Sequence, residues 1–193
     1  MKDKNNNIFN KEKVYITGTG RCGTTFLIKL FSFLNFDTGF NKENYKNYIF
    51  KNCNSGMEKK YNAENYIIKN PTIINDISDI VKDSNIKIST VIIPIRDYKS
   101  AAVSRVKNNE NPGGLWYAKN KQTQILFYNK IISNYVYYMT KYEINTIFID
   151  LDKMISDKLY LFQKIKPILD EKNIDFELFS SEYDEVNLTC NIN

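Results

Sequence analysis

Apolar and polar positions along the chain follow two periods, one of strands and one of helices. Val14-Tyr15-Ile16-Thr17 is a short β-prone run that ends in glycines, which predicts a strand feeding a turn. From Thr24 the apolar positions Phe26, Leu27, Leu30, Phe31 and Leu34 recur at helical spacing, predicting a helix that stops near residues 35–39. Tyr66-Ile67-Ile68 predicts a second strand, closed by Lys69-Asn70-Pro71 because the residue before a proline avoids the helical region. Val91-Ile92-Ile93-Pro94-Ile95 predicts a third. Its nearly continuous apolar character suits a strand covered on both faces, and its proline suggests a strand that is ending. Thr146-Ile147-Phe148-Ile149-Asp150 predicts a fourth.

Helices fill the intervals. Asp97 is a good N-cap for a helix through Lys107, and a break at Pro112-Gly113-Gly114 separates it from a long amphipathic helix over about Tyr117 to Tyr142. A last helix from roughly Ser156 to Glu171 leads into a mixed tail. Residues 40–65 have weak periodicity and read as a loop and short-helix excursion over one end of the sheet. Residues 1–12 read as a flexible, solvated lead-in. Strands alternating with helices predict an α/β fold of three layers: a central, mostly parallel sheet with helices on both faces, in the manner of P-loop NTPases, with ligands beyond the carboxyl ends of the strands. With no internal repeat and no composition boundary, residues 1–193 are read as a single domain.

Composition narrows the classes. A chain of 193 residues can bury one sizeable core unaided, and 42% hydrophobic with 25% charged residues excludes overall disorder. The net charge of +5 is spread over scattered lysines, which argues against a nucleic-acid arm and suits a small anionic ligand. Cys22, Cys53 and Cys190 have no CxxC spacing and there is no histidine, so a zinc site lacks material and the thiols are expected to be reduced. The N-terminus lacks the apolar core of a signal peptide. The longest apolar stretch, Phe26 to Phe36, is interrupted by Lys29 and Ser32, so no membrane span is expected and the cytoplasm is the expected location.

The chemistry concentrates in Gly18-Thr19-Gly20-Arg21-Cys22-Gly23-Thr24-Thr25, a P-loop glycine spacing placed between a predicted strand and a predicted helix. Such glycines let successive N–H groups converge on an anion, and the positive end of the helix dipole adds to the attraction. A nucleoside triphosphatase has Lys after the second glycine to reach the outer phosphates, where this chain has Thr24; its cation is Arg21.

Arg21-Cys22-Gly23-Thr24-Thr25-Phe26-Leu27 resembles the donor loop of the sulfotransferase superfamily. Ile95-Arg96-Asp97-Tyr98-Lys99-Ser100-Ala101-Ala102-Val103-Ser104 resembles that family's second donor motif. The resemblance implies a transferase that moves a sulfuryl group from PAPS (3'-phosphoadenosine 5'-phosphosulfate), releasing PAP, to a hydroxyl or amine of an acceptor such as a glycan or small alcohol. It implies Gly20, Arg21, Cys22, Gly23, Thr24 and Thr25 as the donor cradle. Arg96 and Ser104 become the 3'-phosphate pair, which two helical turns bring to one face. Read alone, Arg96 is better taken as a flanking charge paired with Asp97, and only together with the loop does the phosphate role prevail; Arg105 either assists at the phosphate or is solvated. Lys69 resembles a strand-end lysine of the family that would face the sulfuryl oxygens; its plain alternative is a surface lysine before a turn.

Cytosolic members of the family use a histidine as base, which this chain lacks. The family's placement of the base between donor loop and second strand makes Glu58 the first candidate, ahead of Glu43 and Asp37. Arg21 is then an electrostatic residue at the leaving oxygen, since guanidinium does not give up a proton near neutrality. No metal is implied. Two rivals stay open: a P-loop nucleotide kinase or NTPase, with Asp150 on the magnesium side, and a non-catalytic binder of PAP or another acidic ligand. Gly113-Gly114-Leu115-Trp116-Tyr117 reads as core or as an aromatic platform for adenine or a sugar.

Overall fold

A computed structural model of the chain describes residues 11–50, 53–108 and 113–189. Residues 1–10 of the lead-in, Pro112 and Cys190 lie outside them, while Lys11 and Glu12 already belong to the first strand. The elements in order are β1 (Lys11–Ile16), α1 (Thr24–Phe33), β2 (Ile49–Phe50), β3 (Ser55–Gly56), β4 (Ile67–Lys69), α2 (Ile77–Ile80), β5 (Ile86–Ile95), α3 (Tyr98–Lys107), α4 (Lys121–Lys141), β6 (Thr146–Asp150), α5 (Leu151–Ser156), α6 (Lys158–Leu169) and α7 (Phe176–Thr189). Short 3-10 turns add Tyr45–Tyr48, Ile73–Asn75 and Asp170–Lys172.

The fold is α/β. Four parallel strands stand in the order β4-β1-β5-β6, and β2 and β3 form a separate antiparallel pair within the 40–65 excursion. Side chains alternate across the sheet as strand geometry requires. Val14, Ile16, Ile67, Ile92 and Ile149 enter one core with α1, α5, α6 and α7. Tyr15, Ile68, Val91 and Ile93 enter a second core, on the other face, with α2 and α4. Helices therefore cover both faces, giving three layers.

β5 runs longer than predicted and tolerates Pro94. The N–H of Val91 bonds to Asn145 on the β6 side and the carbonyl of Ile92 accepts from Thr17 on the β1 side, so position 94 also faces β1. β1 has ended at Ile16 by that level, and the missing N–H costs no ladder bond.

α1 is enclosed on all sides, Lys29 and Ser32 included, because α7 packs on the face that the sheet does not cover. Phe26 meets Tyr183 of α7 edge to face at 5.4 Å. The tail expected to be mixed is thus a helix, with Phe176, Phe179, Tyr183 and Val186 at helical spacing and the Asp175 carboxylate accepting from the N–H of Leu178 at 2.8 Å. The helix predicted from roughly Ser156 to Glu171 is α6, which Asp157 caps through the N–H of Tyr160 and the 3-10 turn Asp170–Lys172 extends; the short α5 before it was not predicted. Among the described residues no helix is long and apolar enough to cross a membrane.

Candidate functional site

β1 and β5 are neighbours, yet their chains leave the sheet in opposite directions, β1 toward β4 and β5 toward β6. Such a topological switch opens a crevice at the carboxyl ends. Into it project the 18–23 loop after β1 and Arg96 after β5. A cavity of about 550 Å³ lies there, lined by residues of the loop, the start of α1, β3, the end of β4, α3 and the 113–116 segment.

The loop is held open by backbone conformations that glycine favours. Gly20 has φ 73° and lies so close to Arg105 that a Cβ would stand 2.1 Å from Nη2; Gly23, at φ 89°, would press a Cβ to 2.4 Å from Met154 Cε. Arg21 adopts the left-handed region between them, at φ 57°. The first helical bond of α1 runs from the N–H of Leu27 to the carbonyl of Gly23, so the N–H groups of Thr24, Thr25 and Phe26 point out of the helix end, and all three residues line the cavity.

Three guanidinium groups gather beside the loop. Arg21 donates from Nε to Ser104 Oγ at 3.1 Å and from Nη1 to the carbonyl of Cys53. Arg96 donates from Nη1 to the carbonyl of Arg21 at 3.2 Å. Arg105, only 6% exposed, donates to Tyr128 Oη at 2.7 Å and to the carbonyls of Gly114 at 2.5 Å and Thr19 at 3.3 Å. Every one of these acceptors is neutral, and among the described residues none of the three arginines has a carboxylate in ion-pair range. Burial lowers the pKa of Arg21, and Arg105 and Arg96 press the same way against an opposing influence of Cys53. An uncompensated positive field in a partly desolvated cavity is an anion site.

Lys69, at the end of β4, is 2% exposed, so the alternative of a surface lysine is corrected. Its ammonium donates to the carbonyl of Gly56 at 2.6 Å, to Thr25 Oγ1 at 3.0 Å and to Glu58 Oε1 at 3.3 Å. Burial lowers its pKa and the neighbouring Glu58 carboxylate opposes that shift. Glu58 itself remains 47% exposed at the cavity wall, where a solvent-side partner can reach it. Of the three carboxylates considered as bases it alone lines the cavity. Asp37 instead accepts from Asn65 Nδ2 at 2.6 Å and the N–H of Tyr66 at 3.2 Å, and Glu43 is exposed elsewhere.

Gly20, Arg21, Gly23, Thr24, Thr25, Glu58, Lys69, Arg96 and Ser104 thus share one cavity. Cys22 does not line it: its thiol is fully buried beneath the loop, where burial pushes its pKa up. Arg105 is not solvated but is the internal brace of the loop. Asp97 is occupied as the N-cap of α3, accepting from the N–H of Ser100 at 2.8 Å, while Arg96 turns to the loop. Asp150 caps α5 through the N–H of Lys153 at 2.9 Å and does not line the cavity.

The 113–116 segment walls the cavity rather than the core. Arg105 lies over the Trp116 ring at 5.1 Å, and Gln124 of α4 accepts from the N–H of Trp116 at 2.7 Å. Gln124 and Tyr128 belong to the site's framework, and their signal in sequence, two polar groups on the inward face of the amphipathic α4, is weak. Compared with protein-family models, with curated proteins and with solved structures, the chain has no match.

Proposed function

We propose that the cavity is the donor site of a PAPS-dependent sulfotransferase acting on a hydroxyl or amine. The observation that carries this reading is the convergence of Arg21, Arg96 and Ser104, joined to each other and, among the described residues, to no acid, next to the open N-terminus of α1. Two anionic groups at separate points of one nucleotide suit that arrangement: one on the loop N–H groups and Arg21, the other on Arg96 and Ser104.

In this reading the acceptor oxygen forms a bond to sulfur as the bond from sulfur to the bridging phosphate oxygen breaks, and the electron pair departs with PAP. Arg21 and the N–H groups of Thr24 and Thr25 stabilise the charge that grows on the leaving oxygen. Lys69 contributes positive potential and fixes Thr25 through its hydroxyl. Glu58 accepts the acceptor's proton, the role a histidine would otherwise fill. Thr24, in the place of an NTPase's loop lysine, weighs against the kinase alternative.

Calorimetry decides between the readings. PAP is expected to bind at about micromolar affinity without added magnesium, and ATP far more weakly. Magnesium-dependent ATP binding with no response to PAP would overturn the proposal. PAP binding without transfer of radiolabelled sulfate to any acceptor would leave a nucleotide-binding protein.

A further inference from the structure

A second cavity of about 530 Å³ adjoins the first and shares two wall residues with it, Thr72 and Trp116. Thr72 follows Lys69 directly along the strand end, through Asn70 and Pro71, and its N–H and hydroxyl are fixed on Asn70 Oδ1 at 2.9 and 3.0 Å. The two cavities thus meet at Thr72, three positions beyond Lys69, and at Trp116, whose ring lies against Arg105.

The walls combine aromatic faces with amides. Trp116, Tyr117 and Phe127 form a mutual cluster with centroid separations of 5.4 to 5.7 Å. Tyr117 is 73% exposed and holds a positive φ of 51°, an unfavourable backbone for a large residue at a position with little burial to repay it. Asn75 and Asn134 stand on the same walls, each amide offering donors and acceptors together. An exposed aromatic ring flanked by two amides suits a ligand with an apolar C–H face and a rim of hydroxyls, which is the chemistry of a pyranose ring.

Resting on the donor-site reading above, we infer that this second cavity is the acceptor subsite and that it takes a pyranoside, whose hydroxyl reaches Glu58 past Thr72 and Trp116. Tyr117 and Asn134 are its specificity-determining residues. The occupant is the sugar and not the adenine of the donor, because Arg105 and the glycine loop already cover the donor side of Trp116.

Trp116 is the only tryptophan of the chain and walls both cavities, so its fluorescence reports ligand entry without any turnover, and competition with adenosine separates the two sites. The test titrates the full chain with pooled methyl pyranosides and short oligosaccharides, with phenols and aliphatic alcohols as controls, and follows PAP separately by calorimetry. A saturable Trp116 response to a pyranoside is expected, weakened about tenfold in Tyr117→Ala and in Asn134→Ala and retained in Arg96→Ala. PAP affinity should hold in Tyr117→Ala and fall in Arg96→Ala. The inference is overturned if no pyranoside moves the fluorescence, if only phenols or alcohols do, or if adenosine displaces the sugar. A sugar response in a protein that ignores PAP would instead remove the donor reading while leaving a sugar site. Because Tyr117 is largely exposed, its variant is expected to fold even where Asn134→Ala does not.

Discussion

Arg21 and Ser104, 83 positions apart in the chain, meet through a 3.1 Å hydrogen bond from Nε to Oγ, which ties the glycine loop to α3. A lysine keeps the charge of Arg21 but cannot serve Ser104 and the carbonyl of Cys53 together, since it is a point charge and not a planar fork. Arg21→Lys is therefore expected to lower kcat and to weaken PAP about tenfold, the scale of one charge-assisted hydrogen bond. Transfer assays with parallel calorimetry check this; full turnover in the variant would place the reaction centre elsewhere.

Glu58→Gln preserves shape and removes the proton acceptor. Transfer should fall by about a hundredfold or more, the usual contribution of a positioned base, with PAP affinity nearly unchanged. Equal activity in wild type and variant would show that the acceptor ionises without help.

Lys69 carries a signature in stability. Burial lowers its pKa from the ordinary 10.5, so between its folded value and 10.5 the folded state binds fewer protons than the unfolded state. Stability from this group therefore rises with pH across that window, and the cost of burying the ammonium is gone above it. In Lys69→Met, which loses transfer, the difference in Tm should shift in favour of the wild type as pH approaches 10.5. A difference independent of pH would show that the ammonium is not penalised by burial.

Arg105 braces the loop from within. Arg105→Ala leaves Tyr128 Oη and the carbonyls of Gly114 and Thr19 without their donor, and urea unfolding should report a loss of about 3 kcal/mol, the scale of several buried groups left unsatisfied. Tyr128→Phe alone should cost about 1 kcal/mol, and the double variant less than the sum.

The parts of this fold that announce themselves in sequence are those in which a local pattern and its punctuation agree. The run of β1, the glycines and the apolar repeat of α1 are contiguous, and Asp97 caps α3 at the predicted place. α4 begins at Lys121 instead of Tyr117 because Asn120 and Thr123 form a capping box that outcompetes the earlier aromatic start. α7 had a readable spacing in Phe176, Phe179, Tyr183 and Val186, obscured by the acids and serines between them. Arg105 had no readable signal. Arginine is usually exposed, and its partners at Thr19, Gly114 and Tyr128 come together only after the chain has folded. Lys69 was ambiguous for the same reason, since its burial depends on Gly56 and Thr25 arriving from two other segments.

The enclosure of α1 couples ligand capture to the whole molecule. A helix with a solvent face can fray or swing and release what its first turn holds. α1 has sheet on one side and α7 on the other, so its N-terminal amides cannot be withdrawn by a local opening without dismantling the larger core. Occupancy at Thr24 and Thr25 is then linked to global unfolding. Each tenfold excess of ligand over its Kd adds about 1.4 kcal/mol to the cooperative transition, and amide exchange should slow across α1, α7 and the central strands together.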